Sequence, residues 1–148
     1  MSPEPRLSFF AIREPVYRDI PPWLSTLVSP FFSVIRPEAI KTKLQVSHAY
    51  LTAMADSRHM TNIKKPESIF LMLMSGMDQI MTAIDYCGLS SDTKNICVVY
   101  DNRNHYQNFI SRFGSRLSEA SVKIPDDDPS LDREIFSKIT YTRMRIRA

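Results

Sequence analysis

The sequence predicts a single α+β domain over residues 1–148, a small sheet of about four strands packed with five or six helices. Short runs rich in aromatic and β-branched residues alternate with longer segments whose apolar residues recur at helical spacing. No internal repeat and no low-complexity linker divides the chain. Its 148 residues, 43% hydrophobic and 24% charged, have an ordinary globular composition. A chain of this length buries about two-thirds of its unfolded surface around one core.

The elements follow in order. Leu7 to Ile12 is apolar apart from Ser8, aromatic and short, which makes it a strand. The double proline of "DIPPWLSTLVSP" suits the first turn of a short helix that Pro30 closes. "FFSVI" (31–35) is a second strand. Pro37 starts a longer helix, "PEAIKTKLQVSHAYLTAMADS", with Ile40, Leu44, Ser47, Leu51 and Met54 on one face. Residues 67–75 fit a buried apolar helix, and Gly76 allows a break. Met77, Ile80, Met81 and Ile84 then form an amphipathic stripe opposite Asp78, Thr82 and Asp85. Met77 and Met81 read as core, with a partner surface as the alternative. Gly88 sits where that helix should stop.

"NICVVYD" (95–101) is an unbroken β-branched run and therefore a central strand. Residues 103–116 are helical, with Tyr106, Phe109, Ile110 and Phe113 on one side. "ASVKIP" supplies the fourth strand, ended by Pro125. Asp128 and Pro129 open the last helix as N-cap and first-turn proline. Asp132 and Glu134 lie at its start and Arg143, Arg145 and Arg147 at its end, as the helix dipole favours. Leu131, Ile135, Ile139, Thr142 and Ile146 share a face.

Composition narrows the function. A net charge of +3 permits a nucleic-acid partner without requiring one. Cys87 and Cys97 read as buried free thiols in a reducing compartment, and the cytoplasm is the expected location. The start "MSPEPRLSFFAIREP" has no apolar core of signal-peptide length, so export is not expected. The run Ile69–Met74 is too short for a membrane span, which needs about 20 apolar residues. The three glycines cannot build a dinucleotide or phosphate loop. His48, His59 and His105 are dispersed, so no metal is expected, and His48 reads as a packed or rim residue. Asp126, Asp127 and Asp128 read as a solvated loop that caps the following helix. Cys87 has no basic neighbour in the sequence to activate it. No catalytic residue and no cofactor are therefore expected.

Three basic regions remain: Arg58, Lys64 and Lys65 between two helices; Arg103, Arg112 and Arg116; and Lys138, Arg143, Arg145 and Arg147. Two of them meeting in space would attract phosphate. His105 and Tyr106 would add stacking surfaces for unpaired bases.

From residue 64 to 101 the order of features is specific. The pair Lys64-Lys65 precedes the apolar helix "ESIFLMLMSG"; Gln79-Ile80 begins a second helix; "CGLSSDTKN" leads into the strand "ICVVYD". With the upstream "VIRPEAI", this order over residues 31–101 resembles the small kinase-binding subunit of the KEOPS (EKC) complex. Lys65-Pro66 stands where that family has a polar residue and leucine, and Glu67 lies two residues ahead of its acidic position. The resemblance implies a non-catalytic subunit that binds the complex's small atypical kinase/ATPase and tRNA, including the 3′ CCA end. The complex makes threonylcarbamoyladenosine next to the anticodon. It further implies tRNA contacts at Lys64, the family's basic position, with Lys65 and Arg58 beside it. Kinase contacts are implied on the last helix, at Ile135, Ile139 and Met144. A free-standing RNA-binding protein without a kinase partner is the alternative.

Overall fold

The computed structural model describes residues 4–28, 30–58, 65–125 and 127–147, with residue 147 described by its backbone alone. Among them are four strands and six α-helices, the predicted α+β content. The contacts fall into two compact units, each assembled from two stretches of chain: Met1–Pro37 with Gly88–Val122, and Glu38–Cys87 with Lys123–Ala148.

The first unit holds the sheet. Strands β1 (Arg6–Ile12), β2 (Phe32–Ile35), β3 (Asn95–Tyr100) and β4 (Leu117–Glu119) lie in the order β2-β3-β1-β4, and every pairing is antiparallel. Alternate residues Phe10, Phe32, Val34, Ile96, Val98 and Tyr100 build the core on one face. Helices α1 (Ile20–Ser25) and α5 (Arg103–Phe113) supply Ile20, Phe109 and Phe113 to the same cluster. Trp23 of α1 meets Phe32 and Phe113 edge-on at 5.6 and 5.5 Å, a geometry the ring quadrupoles favour. Ser33, Ile35, Cys97 and Val99 on the opposite face are buried as well. Burial on both faces explains the unbroken apolar run of β3, which is an inner strand as its sequence predicts.

The fourth strand is not where the sequence places it. It spans Leu117–Glu119, pairing with Phe10–Ile12, and one further bond runs from the Ala120 N–H to the Phe9 carbonyl at 3.1 Å. Residues 120–125 form no strand. Val122 and Ile124 have β propensity, but propensity without a partner edge does not make a strand. The pairing is used up before they are reached.

The second unit is helical: α2 (Lys43–Asp56), α3 (Pro66–Ser75), α4 (Ile80–Cys87) and α6 (Pro129–Arg147). The long helix begins at Lys43 rather than Pro37, where there is only a short 3₁₀ turn. Thr42 is the reason: its hydroxyl caps the helix by accepting from the Gln45 N–H at 3.2 Å. The buried face also differs from the predicted one. Gln45, Val46, Ala49, Tyr50, Ala53 and Asp56 point inward, while Leu44 and Leu51 are about 40% exposed. Polar anchoring decides the rotation of the helix. The Gln45 carboxamide accepts from the Lys41 N–H at 2.6 Å and donates to the Met74 carbonyl at 3.4 Å. Asp56, 4% exposed at its side chain, takes both guanidinium bonds of Arg143 at 2.7 Å.

Helix α6 runs parallel to α2. Thr42 donates to Asp132 at 2.9 Å, His48 lies 4.6 Å from Phe136 ring to ring, and Asp56 binds Arg143. Contacts at the start, middle and end of both helices fix one register. Asp128 caps α6 as predicted, accepting from the Ser130 and Leu131 N–H groups. Gly76 ends α3 with φ +73°, a conformation that favours glycine, and a Cβ there would collide with Lys138 Cε. Among the described residues no helix is long and apolar enough to cross a membrane.

Candidate interaction surfaces

The four methionines between residues 72 and 81 divide between inside and outside. Met72 and Met74 on α3 are buried, as expected of side chains that fill irregular gaps. Met77 and Met81 are exposed, Met81 by 70%. Ile84, one turn on, is exposed too, and α4 instead buries Ala83 and Cys87. The core reading of this stripe is thus overturned: α4 packs its small residues inward and leaves its large ones out.

The C-terminal half of α6 borders the same surface. Arg145 bridges to Asp78 in the α3–α4 turn at 2.9 Å, and Lys138 packs over Gly76 at the start of that turn. Tyr141 lies between these two positions on the helix, 61% exposed, with the Arg145 guanidinium 5.7 Å above its ring. Met144 is 66% exposed. Met77 lies in that turn and Met81 and Ile84 on the helix that follows it, while Tyr141 and Met144 lie on the stretch of α6 that the Arg145–Asp78 pair ties to the turn. An apolar surface of flexible methionines with one aromatic has the chemistry of a protein-docking site. Ile135 and Ile139, expected on a contact face, are instead buried in the unit's core. Their spacing follows Asp132 and Thr142, the polar residues that also point inward. Of the predicted kinase contacts only Met144 is accessible.

The basic residues are distributed unevenly. Arg58 and Lys65 are both exposed, whereas Lys64 lies outside the described residues. Arg143, which the last helix brings to the end of α2, is committed to Asp56, and Arg145 to Asp78. In the sheet unit Arg116 is held by Asp19 at 2.8 Å and by the Pro15 carbonyl. Arg103 and Arg112 on α5 are exposed and form no ion pair among the described residues. His105 and Tyr106 do not stand free for stacking. The His105 Nε2–H donates to the Val28 carbonyl at 2.6 Å, and Tyr106 is stacked on Tyr100 with centroids 4.3 Å apart.

Catalytic parts are not brought together among the described residues. No group of three or more His, Cys, Asp and Glu side chains is placed to hold a metal. Asp127 accepts from the Leu44 N–H and Asp128 caps α6; Asp126 lies outside the described residues. Both cysteines are buried and neither is in a disulfide. Burial pushes the Cys97 thiol up to about 12, and the Cys87 thiol donates to the Leu71 carbonyl. A hollow of about 170 Å³ between residues 12–17 and 90–93 is small for a substrate pocket, and its Ser90 and Thr93 hydroxyls bond to each other. No protein-family model matches the chain, and no curated protein does either.

Proposed function

We propose that the chain is the non-catalytic, kinase-binding subunit of a KEOPS (EKC)-type complex. It holds the small atypical kinase/ATPase and tRNA, including the 3′ CCA end, and so supports threonylcarbamoyladenosine formation next to the anticodon. The motif order of residues 64–101 suggests the family. The exposed Tyr141 and Met144 carry the reading, because they lie on the last helix, where the resemblance places the kinase. The kinase contact is accordingly assigned to Met144 with Tyr141, Met77, Met81 and Ile84, in place of Ile135 and Ile139. Arg58, Lys64 and Lys65 keep the tRNA assignment. No cofactor or metal is involved, and a reducing cytoplasm suits the two buried free thiols.

Pull-down of the chain with the complex's small kinase tests this. The Met81→Asp/Met144→Asp variant should lose capture about a hundredfold or more, because charge placed at the centre of an apolar interface is costly. Both positions are solvent-exposed, so the melting temperature of the variant should be close to that of the parent. Undiminished capture by the variant would move the kinase contact elsewhere. A parent chain that binds tRNA but no kinase would favour the free-standing RNA-binding reading.

A further inference from the structure

We infer that the outward face of α5 is a second RNA-contacting surface, which meets the phosphodiester backbone through Arg103 and Arg112 and the polar residues between them. The inference rests on the reading that the chain handles tRNA, and it places a contact far along the sequence from Arg58–Lys65. Phe109 and Phe113 turn this helix's other side into the core of the sheet unit. What remains outside is Arg103, Asn104, Gln107, Asn108, Ser111 and Arg112, all exposed.

Three properties of that face select the partner. First, residues 102–118 contain no Asp or Glu, although the chain carries 16 acids to 19 bases. Among the described residues Arg116, Arg143 and Arg145 each pair with a carboxylate, and Arg103 and Arg112 do not. Nine residues of helix separate those two by about 13 Å along the axis, so they can reach different phosphates. Second, none of the large exposed apolar side chains of the protein lies on α5. A protein partner would be expected to find an apolar or aromatic anchor, whereas a nucleic-acid interface is polar and positive. Third, the amides and the serine hydroxyl both donate and accept. They can therefore serve phosphate oxygens, 2′-hydroxyls and base edges alike, as recognition of RNA requires. The surface lacks free aromatic rings, so the expected mode is backbone contact rather than base stacking.

Fluorescence anisotropy with a labelled full-length tRNA, titrated across a range of salt concentrations, tests the inference. Arg103→Gln/Arg112→Gln should weaken binding about tenfold and lower the salt dependence by about two counterions. Lys41→Gln/Lys43→Gln removes the same charge from two exposed residues, one just before α2 and one at its start, and should change affinity less than about twofold. An α5 variant that merely tracks this control overturns the inference. Retained affinity in the α5 variant alongside clear loss in Arg58→Gln/Lys65→Gln overturns it too, yet leaves the tRNA reading standing. A parent chain that fails to bind tRNA at all overturns both.

Discussion

Helices α4 and α5 are both amphipathic, and they resolve that amphipathicity in opposite ways. Helix α5 buries its large aromatic residues, Phe109 and Phe113, and shows solvent its amides and arginines. Helix α4 buries Ala83 and Cys87 and shows solvent Met81 and Ile84. What each helix packs against accounts for the difference. Helix α5 lies on the sheet's apolar face and fills the space beneath it with long aromatic side chains. A helix packed closely on another helix, as α4 is on α3, is held nearer by small residues. Helix α2 is mixed: it buries Ala49 and Ala53 together with Val46 and Tyr50, while Leu44 and Leu51 stay out. The side with the greater hydrophobicity is therefore not always the side that faces in.

The largest effect that would test this contrast comes from truncation. Phe109→Ala removes a fully buried ring in contact with Phe10, Trp23, Phe32 and Phe113 and should cost about 3–5 kcal/mol in urea unfolding. Met81→Ala, on the stripe that sequence periodicity assigns to the core, should change stability by less than about 0.5 kcal/mol. Comparable losses in the two variants would mean that α4 is rotated from the arrangement described, and the docking surface would go with it.

This contrast also marks how far the sequence was legible. Strands β1, β2 and β3, the apolar helix α3, the Gly76 stop and the Asp128 cap are specified locally, by runs, breakers and caps, and each lies close to its predicted place. The fourth strand was misplaced because a three-residue strand is defined by its partner β1, which no local pattern reveals. The buried faces of α2 and α4 were misread because periodicity weighs side chains by hydrophobicity alone. On α2 the decisive residues are polar: Gln45 and Asp56 are buried because their hydrogen bonds exist only in the folded unit. The same blindness put Ile135 and Ile139 on a contact surface. Met144 is exposed, and the Arg145–Asp78 bridge that ties its helix to the α3–α4 turn joins segments too distant in sequence for a local pattern to reveal.

A second test concerns the polar anchoring of the helical unit. Arg143→Ala leaves the Asp56 carboxylate, 4% exposed, without its bidentate partner. The expected loss is about 2–4 kcal/mol, below the full cost of a broken buried pair because the Arg143 side chain is 41% exposed. Asp56→Asn/Arg143→Met, which removes both charges, should recover part of that loss in the same unfolding assay. A double variant no better than the single one would assign the cost to lost packing rather than to a stranded charge.

The smallest expected effect distinguishes the helical unit by its response to acid. His48 is packed against Phe136, and its pKa is lowered, first by burial and then by the nearby Arg143 charge. A histidine with a lowered folded pKa binds its proton more readily in the unfolded chain. Stability linked to it is therefore complete above the ordinary value of about 6.5 and declines as pH falls through 6.5 toward the folded value. The melting temperature should accordingly drop between pH 7.5 and pH 5.5 by about a degree or two more in the parent than in His48→Gln. If His48→Gln kept the full slope, the proton uptake would belong to another group, and the contact between α2 and α6 at Phe136 would be open enough to accommodate a charged imidazole.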